Sequence, residues 1–388
     1  MVGPFLPKRR AYEIQSIPLD CRNCVVHSAG DPVRLAAQAV RVDSIAKRHF
    51  TTFDIRGAGK NQLQGTWPLG VNSAGVITGY YVDSGNVGHG FLRTNDGKIS
   101  KFNVPEAGKG FNQGTIAASI NTAGAITGSY IDSGTAYHGF LRAPDGKITR
   151  FDPPGSAKEP GRGTLSQSIN SNGDIAGSDI DINDESHGFL RTSDGRITVF
   201  EAPGAGGLGT SVAYGLSINA ARTITGWYYD SMAVMHGFVR APGGKTTRFD
   251  APGAGKGPLQ GTMGASITPT GMILLDDSDK NDVSHGFLRS TNGKITRLPD
   301  APGEGKGIGQ GTYPSTISSA GLIAGVYVDA NGAFHGFTFD GKFHDIDAPG
   351  AGKGAGQGTV PANIGPAGSV SGYYIDSGNV YHGFLVSP

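Results

Sequence analysis

Seven aspartate–histidine pairs recur along the chain, each with the same separation: Asp83/His89, Asp132/His138, Asp181/His187, Asp230/His236, Asp279/His285, Asp329/His335 and Asp376/His382. A carboxylate beside an imidazole is half of a hydrolytic triad, and histidines with carboxylates also build metal sites. A catalyst needs one such centre, however. Seven copies at a fixed period read instead as a repeated hydrogen-bonded clasp, in which each buried polar group is satisfied by its partner.

Departures from the repeat carry more chemical information than the repeat. A Gln-Gly-Thr phrase keeps Gln64, Gln113, Gln260, Gln310 and Gln357, whereas Arg162 and Ser211 stand at that place in the third and fourth copies. Just after the threonine come Trp67, Ile116, Leu165, Tyr214, Met263, Tyr313 and Val360. Aromatic rings beside one arginine and several amides could hold a sugar or a carboxylated small molecule; the competing expectation is that they pack between repeats. A second departure is acidic. Where five copies have Tyr81, Tyr130, Tyr228, Tyr327 and Tyr374, the other two have Asp179 and Asp277, close to Asp181 and Asp279. Clustered carboxylates suit calcium, although the spacing matches no EF-hand and an exposed acidic loop is the commoner outcome. No other cofactor is expected.

Two further motifs are weaker. Cys21-Arg22-Asn23-Cys24 with His27 offers three local metal ligands where zinc wants four, and a local disulfide or plain thiols fit equally. The Gly-Ala-Gly-Lys-Gly segments suggest a phosphate loop, but their lysine is followed by neither Ser nor Thr and they lead into a strand rather than a helix. Glycine there lets a long connection cross crowded backbone.

The elements that must position these residues follow from the period. His-Gly-Phe recurs at His89, His138, His187, His236, His285, His335 and His382, every 47 to 50 residues, a period typical of solenoids, propellers or arrays. One unit reads as four short strands, over 115–121, 126–132, 137–142 and 147–152, the last two joined by a Pro144-Asp145-Gly146 turn, with no amphipathic helical stripe. Four antiparallel strands per unit is a propeller blade. The final unit ends after its third strand, and His49-Phe50-Thr51-Thr52-Phe53-Asp54 matches the missing fourth. The expected fold is therefore all-β, a seven-bladed propeller over 49–388 closed by its N-terminal strand, which hides two sheet edges. Residues 1–48 form a non-repeating extension with a capped helix expected over 32–46. In a propeller the loops from strand four to the next strand one, and from strand two to three, share a face; here these are the long loops, and any functional surface should lie there.

The His-Gly-Phe anchors and Gly-x-Ile-Thr-Gly phrases of 49–388 resemble the bacterial HAF-type repeats, with glycine in place of that family's alanine. The resemblance implies a bacterial, often exported repeat protein with no assigned chemistry.

Composition supplies the exclusions. Glycine is 64 of 388 residues, against roughly 7 % in ordinary proteins, but not at every third position, so collagen is excluded. Thirty-three basic and 32 acidic residues leave a net charge of +1, so no global field draws nucleic acid or anionic membrane. No apolar run approaches the roughly 20 residues of a spanning helix, and none of signal-peptide length follows Lys8-Arg9-Arg10. The expected function is non-catalytic recognition of a glycan, peptide or protein on the long-loop face, by a monomer. The alternative is a carbohydrate-active lyase or hydrolase at the axial mouth, with Arg162 neutralising a carboxylate and Tyr214 or Tyr313 as proton donor; no base is visible beside them.

Overall fold

The computed structural model describes residues 49–206, 216–365 and 368–387. The described chain is all-β. The helix expected over 32–46, the cysteines and Tyr214 lie outside these residues. The chain opens with β1 (His49–Phe53), and the first unit follows as β2 (Gly65–Val71), β3 (Ile77–Val82), β4 (Gly88–Arg93) and β5 (Ile99–Phe102). Each strand pairs antiparallel with the next, Gly65 opposite Val82, Tyr81 opposite His89 and Gly90 opposite Phe102. The same pattern recurs through the chain. In the unit read above, strands occupy Gly114–Ile120, Ile126–Ile131, Tyr137–Arg142 and Ile148–Phe151, within a residue of their expected bounds.

The three residues of the anchor have three different jobs. The histidine points toward the loops, as described below. The phenylalanine is the centre of each unit: Phe91, Phe140, Phe189, Phe238, Phe287, Phe337 and Phe384 are almost completely buried. The glycine makes room for a neighbouring ring, since a Cβ on Gly139 would stand 2.7 Å from the ring of Phe151 on the fourth strand. Sequence alternation thus becomes a packed unit because every second side chain points inward.

Units are joined by backbone as well as by side chains. The glycine opening each described full-length first strand forms a single parallel bridge with the start of the preceding unit's third strand, as Gly114 does with Gly88. Gly114 has φ 119°, and a Cβ there would lie 2.1 Å from the Gly88 carbonyl oxygen, so only glycine allows this approach. Across the same seam, the arginine ending a third strand lies over the fourth-strand phenylalanine of the unit before: Arg142 over Phe102 at 5.0 Å and Arg240 over Phe200 at 4.8 Å. Asparagines add side-chain ties, with Asn72 Nδ2 donating to the Asn121 carbonyl and Asn121 Nδ2 to that of Asn170, both at 3.2 Å.

The two ends of the chain use these same contacts. β1 pairs antiparallel with Tyr381–Ser387, His49 opposite Ser387 and Phe53 opposite Gly383. Gly65 bridges Tyr381, and Arg93 lies over Phe53 at 4.9 Å. Phe53 therefore occupies the fourth-strand place that Phe102 and Phe151 fill elsewhere. A Cβ on Gly383 would meet the Phe53 ring at 2.8 Å and Pro68 Cγ at 2.9 Å. Gly383→Ala is accordingly expected to cost about 1–3 kcal/mol in urea unfolding, the usual penalty for overpacking a tight seam. Unchanged stability would contradict the packing of β1 against this glycine.

Candidate ligand-binding face

Each clasp begins with a turn. Asp83 follows β3, and its Oδ1 accepts the backbone N–H groups of Gly85 (2.8 Å) and Val87 (3.0 Å), folding the loop back on itself. Its other oxygen meets His89 Nε2 at 3.1 Å on β4. The turn recurs at Asp132, Asp181, Asp230, Asp279, Asp329 and Asp376. Their histidines follow the same geometry, with Nε2 to carboxylate at 3.6 Å for His138, 3.5 Å for His187, 3.3 Å for His236, 3.7 Å for His285, 3.6 Å for His335 and 3.3 Å for His382.

The sequence reading missed the second carboxylate. Nδ1 of six histidines meets an acid at or just beyond the end of the fourth strand: Asp152 (2.8 Å), Glu201, Asp250 (2.7 Å), Asp300 (3.1 Å), Asp347 (2.7 Å) and, for His382, Asp54 from the far end of the chain (3.0 Å). His89 meets Asn103 instead, at 3.1 Å. The signal was present in the acid that ends the fourth-strand phrase, 14 residues after His138, His187 and His236. An imidazole between two carboxylates is best satisfied with both nitrogens protonated. For His382 the Asp54 hydrogen bond raises the pKa despite burial; for His187 and His285 burial pushes down, but Glu201 and Asp300 outweigh it and the net shift is upward.

A ring covers the imidazole where the second strand carries tyrosine. Tyr81, Tyr130, Tyr327 and Tyr374 stack on their histidines with centroids 4.8–4.9 Å apart, and Tyr228 tilts against His236 at 5.3 Å. Asp179 and Asp277 replace that ring by a buried acid. Burial pushes Asp179 up to about 6, against hydrogen bonds from Ser156 and Thr164. Burial likewise pushes Asp277 up to about 7, and its Oδ1 has no hydrogen-bond partner among the described residues. Its neighbour Asp276 is also raised well above the ordinary carboxylate range, by burial first and then by Asp277.

The residues expected to line a ligand mouth have structural partners. Gln113 Oε1 accepts the Gly110 N–H at 2.7 Å while its Nε2 donates to the Ser133 carbonyl at 3.1 Å, latching the long interunit loop to the loop between strands two and three. Gln64, Gln260, Gln310 and Gln357 make the same latch. In three copies the amide also donates to a side chain, Asn86, Asp282 or Asn379. Arg162 is the same latch rewritten. Its Nε and Nη2 donate to Asp184 at 2.6 and 2.8 Å, and Asp184 occupies the place of Asn86 and Asp282. Trp67 is buried, stacked on Tyr80 (5.1 Å) and Tyr381 (4.2 Å) at the seam between the first and last units. Tyr313 lies half-buried on the strand Gly311–Ile317.

Calcium was expected, if anywhere, in two separate acidic clusters, one around Asp179 and Asp181 and the other around Asp277 and Asp279. Among the described residues, groups close enough to share a cation are Asp181 with Glu185 and His187, and His285 with Asp300 and Glu304. The second already contains Arg297 and Lys306, which pair with Asp300 and Glu304.

No family model matches the chain, and no curated protein does. Solved structures do. The β-propeller domain of the Trilobed protease from Pyrococcus furiosus, a structure showing an open velcro topology, aligns with TM-score 0.52 at 8 % identity over 82 % of this chain and 94 % of its own. A prolyl endopeptidase aligns with TM-score 0.51 at 9 % identity, and puromycin hydrolase with 0.50 at 13 %. These cover 83 % and 80 % of this chain, which spans only 46 % and 50 % of theirs. At such identities the likeness establishes the fold alone, and it places the chain in the β-propeller class.

The acids and histidines set a direction for pH dependence. Asp277, raised from 3.8 to about 7, opposes folding increasingly as pH climbs between those values. The stabilisation from His187, His285 and His382 is complete below 6.5 and is lost as pH rises through their raised folded values. Lowered acids such as Asp83 and Asp230 lose their contribution only in strong acid. Calorimetry should therefore find Tm highest near about pH 4 and falling as pH rises through about 7, with a shallower fall for Asp277→Asn. A Tm that rises across this range would contradict the assignment.

Proposed function

We propose that the chain is a seven-bladed propeller, closed by β1 as the fourth strand of the last blade, that recognises its ligand non-catalytically on the long-loop face. Pairing of β1 with the last strand and the Gly65–Tyr381 bridge support the closure. One observation carries the functional reading. Of the six large hydrophobic side chains most exposed among the described residues, Leu63, Phe111 and Leu259 lie in the interunit loops and Ile182 and Met232 in the loops between strands two and three; only Val199 lies elsewhere. The clasps and the glutamine latches tie these two loop sets together, so the apolar tips stand on one rigid surface. Exposed apolar groups set among polar ones are the usual mark of a recognition surface.

Among the described residues, the groups offered for the enzymatic alternative are already engaged by partners. Arg162 is held bidentately by Asp184, and six of the seven clasp histidines are engaged by carboxylates at both ring nitrogens. The resemblance to exported bacterial repeats is consistent with recognition of an extracellular ligand, and is part of the proposal. Charge introduced at the tips, as Phe111→Glu with Leu259→Glu, should weaken binding of an isolated ligand at least about tenfold without lowering Tm, whereas Val199→Glu should leave affinity unchanged. Equal effects at both places, measured by calorimetric titration, would contradict the assigned face.

A further inference from the structure

Two cavities among the described residues occupy the same place in two different units. One, of about 340 Å³, lies in the fourth unit between the clasp of His236 and the loop Gly253–Lys256; the other, of about 480 Å³, lies in the seventh between the clasp of His382 and the loop Gly57–Lys60. Both fall within the roughly 300–1,000 Å³ usual for small-ligand sites.

The clasp acids, the histidine and the loop lysine of the two cavities correspond, whereas the arginine stands two residues before the acid in one and two after it in the other. The fourth-unit cavity presents Asp230, Asp250, Arg248, Lys256 and His236; the seventh presents Asp376, Asp54, Arg56, Lys60 and His382. Each therefore sets two carboxylates against two fixed cations around one imidazole. Opposite charges stand close together there, so an ion of either sign meets its like as well as its opposite, while acceptors and donors lie within one small volume. The wall is glycine backbone, Gly253 and Gly255 or Gly57 and Gly59, which leaves a smooth surface without side chains. Apolar contact comes from Val234 and the exposed Met232 in one, and from Val380 and Tyr381 in the other.

From this we infer that the two grooves bind an uncharged polyhydroxylated ligand, a neutral glycan. Carboxylates accept from hydroxyl groups, lysine and arginine donate to them, and the apolar and glycine surfaces receive the C–H face of the sugar ring. The inference rests on the proposed long-loop recognition and assigns it a ligand class. Several other units lack part of this set. In the second unit Arg150, the counterpart of Arg248, is drawn away by Glu106 at 2.8 Å. In the fifth, Glu304 enters the loop and pairs with Lys306, the counterpart of Lys256. The first unit has Asn103 in place of the fourth-strand acid.

The test is a glycan array carrying neutral, anionic and cationic sugars, followed by calorimetric titration of the strongest neutral oligosaccharide and of a panel of synthetic peptides. The expected result is selective binding of neutral glycans at two sites per chain. Lys60→Ala with Lys256→Ala should weaken it about tenfold or more at unchanged Tm, while Lys109→Ala with Lys353→Ala has no effect. Neutral glycans that bind equally well to the Lys60/Lys256 variant would overturn the grooves as their site and leave long-loop recognition standing. A blank array with peptides bound, and that binding abolished by Phe111→Glu with Leu259→Glu, would overturn the glycan assignment alone. Absence of binding by every probe would overturn both.

Discussion

One constraint organises the loop face: an imidazole on the third strand held between two acids that come from different parts of the chain. The first acid closes the loop after the second strand by accepting its backbone N–H groups, and the other stands just beyond the fourth strand, where the next interunit loop departs. Each histidine thus fixes the origin of both long loops. In six units both of its nitrogens meet carboxylates, and its face is covered by a tyrosine in most units. The interaction is only partly buried, with His236 the most enclosed and His335 among the more accessible. Its value is therefore geometric more than energetic: modest hydrogen bonds, repeated around the molecule, hold flexible glycine-rich connections in one arrangement.

Most of this architecture was legible in the sequence because the repeat carries its own alignment. The third strand was placed without error from Tyr137 to Arg142 because the His-Gly-Phe-Leu-Arg phrase alternates inward and outward side chains and ends at an Asp-Gly turn. The pairing of His49–Phe53 with Tyr381–Ser387 was legible because His49–Phe53 repeats the fourth-strand phrase of the other units. What remained hidden was contact across that alignment. Nothing local to His138 identifies Asp152 as its partner, because they meet only once the third and fourth strands pair. Arg162 read as an isolated cation for the same reason; its compensation, Asp184, lies 22 residues away on a loop that is neighbouring only in the fold.

The departures divide on physical grounds. Arg162 with Asp184 keeps a latch while changing its chemistry, so the interaction survives the substitution. Asp179 and Asp277 do not compensate in this way. An acid replaces an aromatic ring inside the same shell, where burial and neighbouring carboxylates keep it from ionising readily. In the grooves of the fourth and seventh units, small loop residues and a lysine leave space where the fifth unit places Glu304 against Lys306. Near-identical units therefore give a rigid frame, and a few loop substitutions decide which of them can admit a ligand.

The central claim is that a clasp histidine bridges two acids, in His187, His285 and His382 as a charged imidazole, and long-range nitrogen NMR of the imidazoles tests it most directly. At pH 6.5, the ordinary histidine midpoint, both ring nitrogens of His187, His285 and His382 should carry protons in the majority of molecules. A bare ring nitrogen predominating at those three residues would show that the two carboxylates do not hold a charged imidazole, and would contradict the account of what positions the loop face.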